Sequence, residues 1–251
     1  MRDIECEVAA VFAEDVAEHR LIVRLDQGLH RHLLFERREH SWNNRFELVT
    51  WPGKLAISGD RGAHVFSRLP DMFQFFRSNG NTLGINPTYW SEKLVDERRS
   101  VQVYSEDRLW EKVREHLADA AREYREELAE WRGLGSDPQW RPFVPEKLRR
   151  ARELVREARD WGQAAYEDGG RQFLRELEDT DVVSDTYGWD LTDWDFHFLW
   201  CLHAIAWGVR QYDAAVRSGL HKVRPPLVAW DTPLPTKPPT KPAERKAVTH
   251  A

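Results

Sequence analysis

Sulfur is scarce in this chain of 251 residues, with two cysteines and two methionines. Cys6 and Cys201 are too few for a disulfide scaffold and lack the spacing of a zinc site, so a reducing cytoplasm is the expected compartment. Long apolar runs are missing too. The most apolar stretch, residues 196–209, is shorter than a membrane span and contains His197 and His203, so it reads as a buried helix and no membrane association is expected. The opening Met1-Arg2-Asp3-Ile4-Glu5 is acidic and without an apolar run, which argues against a signal peptide. Net charge is only −5 and the pI is near 6.1, leaving no global attraction to nucleic acid or to an acidic membrane. Finally, no catalytic signature with the spacing its chemistry needs is found, so no catalytic residue, cofactor or metal site is assigned and a non-enzymatic protein is the favoured reading.

What is present points to a packed α+β protein. Hydrophobic residues make up 41% of the chain, and twelve tryptophans supply large apolar surfaces that disordered segments lack. After a short helix marked by Ile4, Val8, Val11 and Phe12, strand patterning begins at residues 20–25. Further strands are expected at 29–37, 46–51, 54–58 and 64–67, separated by Asp26-Gln27-Gly28, a polar loop at 39–44, Pro52-Gly53 and Gly59-Asp60-Arg61-Gly62. The expectation is an antiparallel β-meander of about five strands packed on helices.

Pro70 and Asp71 open a helix with Met72, Phe73, Phe75 and Phe76 on its apolar face, and a second short helix follows Asn86-Pro87. From Ser105, a plausible N-cap, a long helical stripe runs through Leu109, Val113 and Leu117 to Gly133. Pro145 starts another helix, with Leu148, Leu154, Val155, Ala158 and Trp161 expected inward and Gly169-Gly170 expected to break or bend it. Thr192-Asp193 is the expected cap of a last helix from Trp194 to about residue 217. Beyond residue 223, prolines 225, 226, 233, 235, 238, 239 and 242 alternate with lysines, which reads as an extended, disordered tail. The organisation is therefore 1–100 for the meander and its covering helices, 101–222 for a helical region packed on it, and 223–251 for the tail. Pro235 and Pro238 fit a PxxP pattern, a match that a proline-rich tail also produces by accident.

Several sequence blocks carry a resemblance. They are Arg31-His32-Leu33 with Phe35, Thr50-Trp51-Pro52-Gly53, Gly59-Asp60, Phe66-Ser67-Arg68, Asp71-Met72-Phe73 and Phe75-Phe76-Arg77. Asn86-Pro87-Thr88-Tyr89-Trp90, Trp200-Cys201, Trp207-Gly208 and Gln211-Tyr212-Asp213 extend the pattern. The chain thereby resembles a family of uncharacterised bacteriophage and prophage proteins over roughly residues 20–95 and 195–215. The resemblance implies a phage or prophage origin and action in the cytoplasm of a bacterial host. It brings no activity with it. A phage accessory protein that binds a host macromolecule, as a modulator of host defence or machinery, is the resulting expectation, with a host protein as partner.

Arg31, His32, Trp51, Asp60, Arg61, Arg68, Asp71, Tyr89 and Trp90 are the candidate binding residues. Between residues 20 and 77, ten Lys and Arg face six Asp and Glu, opposite in sign to the whole chain. Interleaved with Trp42, Trp51 and four histidines, they suit pairing with phosphates and stacking on bases, so a nucleic-acid- or nucleotide-binding module or enzyme is the alternative reading. The plainer reading is the solvated face of a half-buried sheet. Arg68 and Asp71 are placed to form an ion pair at the strand-to-helix junction. Asp181, Asp185, Asp190, Asp193 and Asp195 with His197 have ligand types for a divalent metal, but helix-capping chemistry explains acids at this position as well. His197 and Cys201 stand one helical turn apart, yet their apolar surroundings favour a buried thiol and a core histidine over a nucleophilic pair.

Overall fold

The computed structural model describes residues 4–37, 42–77, 84–95, 101–133 and 146–221. Alternating side chains at 19–67 form a five-stranded antiparallel meander: β1 (His19–Gln27), β2 (His30–Arg37), β3 (Phe46–Trp51), β4 (Lys54–Gly59) and β5 (Gly62–Ser67), in that spatial order. The period-two pattern sends Leu33, Phe35, Phe46, Leu48, Leu55, Ile57 and Phe66 to one face, where each is at most 1% exposed. Gly53, at φ 79°, makes the turn after Pro52 that a residue with a Cβ would strain. Gly59 answers a different demand, since a Cβ there would stand 2.2 Å from the Arg45 carbonyl oxygen.

The apolar face is covered by α1 (Ile4–Asp15), α2 (Met72–Arg77), α3 (Pro87–Ser91) and above all α7 (Phe196–Arg217). Asp195 caps α7 by accepting the Phe198 N–H at 2.9 Å. The helix begins later than its sequence suggests because Thr192–Trp194 forms a short strand, β7, paired with β6 (Gln102–Tyr104). This takes Asp193 away from the capping position. Gly208 lets α7 approach the sheet closely, for a Cβ there would meet Leu48 Cδ1 at 2.8 Å and the Phe35 ring at 3.1 Å.

A second core is built from α4 (Glu106–Gly133), α5 (Glu146–Asp160) and α6 (Glu167–Glu178), joined on Leu109, Val113, Ala158, Phe173, Leu174 and Leu177. Ser105 caps α4, its Oγ accepting the Arg108 N–H at 3.3 Å. Two expectations are corrected here. Trp161 is 86% exposed rather than inward, because α5 has already ended and Gly162 turns the chain at φ 62°. Gly169 and Gly170 do not break a helix but lie inside the first turn of α6. A Cβ on Gly170 would stand 2.4 Å from the Tyr104 hydroxyl and 2.8 Å from Leu109 Cδ1, so contact with α4 and β6 excludes a larger residue. Among the described residues no helix is long and apolar enough to cross a membrane. The proline-rich segment 223–251 lies outside the described residues.

Candidate functional site

Two polar clusters hold α7 at opposite ends of the sheet, and they absorb four of the nine expected binding residues, Arg31 and Asp71 in one and Asp60 and Arg61 in the other. At the Trp51-Pro52-Gly53 end, Arg31 points from β2 to the covered face and is 9% exposed. Its guanidinium donates to both Asp71 oxygens, at 2.9 and 3.4 Å, and lies 4.7 Å from the Phe73 ring centroid. Asp71 also accepts the Phe73 N–H at 3.1 Å, so one carboxylate starts α2 and holds β2. Arg77 donates to both oxygens of Asp213 on α7, and the Tyr212 hydroxyl is within 3.0 Å of both Asp26 oxygens. Burial, followed by Asp26, pushes the Tyr212 hydroxyl above its ordinary value. The expected Arg68–Asp71 pair is therefore replaced: Arg31 reaches Asp71 through the fold, and exposed Arg68 has no ion pair among the described residues.

At the Gly59-Asp60-Arg61-Gly62 end, Asp60 accepts the N–H of Asn44, a buried residue held at φ 56°. Arg61 donates to Asn44 Oδ1 at 3.0 Å and to Asp15 of α1 at 3.3 Å. Asp15 also accepts the indole N–H of Trp200 on α7 at 2.9 Å. The turn is thus tied to α1 and α7. Asp60 and Arg61 lie apart from Arg31, Asp71 and Trp51, at the opposite end of the strands.

The remaining candidates occupy other places. His32 is on the outer sheet face, its Nε2 2.6 Å from Glu47 Oε2, and this hydrogen bond holds the Glu47 carboxyl below its usual range. Arg20 and Arg45 flank Glu36 on the same face, Arg45 also reaching Glu47. Trp51 is 37% exposed, and Tyr89 lies beneath the Lys93 ammonium at 4.4 Å. Trp90 is a core residue, 1% exposed, packed edge-on against Phe76. Cys201 is buried with its thiol pushed up to about 12 by burial, and its Sγ contacts the Arg61 carbonyl oxygen at 3.8 Å while His197 is exposed. Asp190 accepts from the Thr192 N–H and hydroxyl, Asp193 pairs with Arg108, and Asp195 is a cap. No group of three potential metal ligands forms among the described residues.

The sequence patterns pass over a cleft of about 610 Å³ where the two cores meet. One wall is α1, with Ile4, Glu5 and Glu7; the other is the start of α4, with Ser105, Asp107, Arg108, Glu111 and Arg114; Asp193 and Trp194 of β7 complete it. Among the described residues the lining holds five carboxylates against two guanidiniums, and Arg108 is already bound to Glu111 at 3.1 Å and Asp193 at 3.3 Å. Ser105 spends its hydroxyl on the helix cap. The half-buried Trp194 ring and Ile4 add apolar surface. Such a surface suits a cationic ligand with some apolar area, and its described residues include no nucleophile–base pair. Its residues come from three distant segments, so no local motif could have grouped them. Compared with protein-family models, curated proteins and solved structures, the chain matches none.

Proposed function

We propose that this chain is a phage- or prophage-encoded accessory protein that acts by binding a host protein, receiving a cationic segment of it in the cleft between α1, α4 and β7. The carrying observation is the charge of that cleft: among its described lining residues, with Glu111 and Asp193 paired to Arg108, Glu5, Glu7 and Asp107 still outnumber Arg114 around Trp194. Fields of one sign in a concavity steer and orient a partner of opposite charge. The lining favours binding over catalysis because, among its described residues, the Ser105 hydroxyl and the Arg108 guanidinium are engaged in structural contacts. Modulation of host defence or machinery is the role such binding would serve.

The nucleic-acid alternative has less support. Arg31, Arg45, Arg61 and Arg77, which counted toward a basic meander, are each matched by a carboxylate. Phosphate contacts need cations that are available to exchange small counterions.

The test is affinity capture from bacterial lysate after nuclease treatment, wild type beside Glu7→Lys/Asp107→Lys, two exposed positions on opposite walls. The expected outcome is a stoichiometric host protein that survives nuclease, is released by salt and is lost in the variant. Equal capture by the variant, or recovery of nucleic acid alone, would remove the proposal.

A further inference from the structure

The cleft sits beside the start of α7, since Asp193 and Trp194 immediately precede Phe196, whereas the chain leaves the described structure at His221, past the other end of that helix. From there the sequence continues with Lys222, Arg224, Lys237, Lys241, Arg245 and Lys246 against only Asp231 and Glu244, interleaved with seven prolines. Three properties of that segment match the cleft. Its charge is opposite. Its prolines suit an indole, because proline rings pack on aromatic side chains with little further ordering cost. Its reach is sufficient: α7 has 22 residues and is about 33 Å long, while residues 222–236 in extended form span roughly 45 Å.

We infer that the cleft is a docking site for this chain's own segment 233–246, with prolines on Trp194 and Ile4 and with Lys237, Lys241, Arg245 and Lys246 directed to Glu5, Glu7, Asp107 and Glu111. The inference rests on the reading of the cleft as a receptor for cationic chain, and it makes the tail a competitor that a host partner must displace. An intramolecular ligand has an effective concentration up to the millimolar range, so even weak docking occupies the site. Its electrostatic share declines with salt.

Zero-length carbodiimide coupling, which joins lysine amines to carboxylates, tests this on the dilute full-length chain, with peptide mapping of the monomer. The expected result is coupling of Lys237, Lys241 or Lys246 to Glu5, Glu7, Asp107 or Glu111, falling at least fivefold at high salt. A second measurement uses a labelled peptide of residues 233–246. It should bind the full-length Lys237→Glu/Lys241→Glu/Arg245→Glu/Lys246→Glu variant at least tenfold more tightly than wild type, whose cleft is already filled. Coupling spread evenly over surface carboxylates, or a peptide that binds neither protein, overturns the inference. In that event the host-binding reading still stands if capture depends on Glu7 and Asp107. If capture is also indifferent to them, both fall.

Discussion

Arg31 shows how much one side chain can do in this fold. It is 9% exposed, doubly bonded to Asp71, and stacked near Phe73, so its removal leaves a half-buried carboxylate without its main cation. Breaking a buried pair from one side typically costs about 3–5 kcal/mol; with Asp71 still near Arg77, Arg31→Ala is expected to lose about 2–4 kcal/mol in urea unfolding, and Arg31→Lys to recover little of it, lacking the two-pronged geometry. His203 makes a pH prediction. It is 4% exposed, stacked on Phe12, and held down to about 4 by burial and then by Arg210. Because the folded state resists the proton and the unfolded chain accepts it near 6.5, stability is full above about pH 6.5, declines as pH falls toward 4, and is not further reduced by this group below that. The expected loss is on the order of 2–3 kcal/mol. His203→Leu should flatten that part of the stability-versus-pH curve, measured by urea midpoints between pH 7 and pH 4.

At the scale of elements, α6 and α4 show propensity yielding to packing. Inside a helix, alanine is better than glycine by about 1 kcal/mol, so Gly170→Ala would stabilise α6 if it stood alone. The Tyr104 hydroxyl and Leu109 Cδ1 deny the space, and overpacking of this kind costs about 1–3 kcal/mol. Gly170→Ala is therefore expected to lower the melting temperature, whereas Gly133→Ala, where a Cβ meets nothing within 4 Å, should leave it unchanged or raise it. Within α4 the buried residues Leu109, Trp110 and Val113 all belong to the first third of a 28-residue helix. Helices of surface character take most of their stability from a packed face. Amide exchange should accordingly be much faster at 120–133 than at 109–117, and equal protection along the helix would contradict this account.

At the scale of the molecule, α7 joins what is far apart in sequence. Trp200 is bound to Asp15 at one end of the sheet, and Tyr212 and Asp213 to Asp26 and Arg77 at the other. Between those anchors the helix rises about 18–20 Å, close to the length of a six-residue strand, so both clusters close at once. Disrupting either should loosen the whole first core. Asp213→Ala and Asp15→Ala, at opposite ends, are each expected to lower amide protection in the strands between them as well as locally, a result readable by hydrogen exchange. The cleft is a property of this same scale, since it exists only where α1 of the sheet core meets α4 of the helical core.

Strand alternation, the turns at Pro52-Gly53 and Gly59-Asp60-Arg61-Gly62, and the Ser105 cap were legible in the chain itself, because each depends on neighbours within a few residues. So was the burial of residues 198–206, which follows from their apolar run. What could not be read was partnership across distance. Arg68 stands three residues from Asp71, yet Arg31, forty residues away, takes that carboxylate because antiparallel pairing and the path of α2 bring it there. Asp193 looks like a cap and becomes part of a strand because residues 102–104 offer it a ladder. Gly169 and Gly170 look like a break and prove to be a contact. Local chemistry decides which conformations a segment can adopt, and tertiary packing decides which charges meet; the cleft, built from three segments of unrelated pattern, belongs wholly to the second.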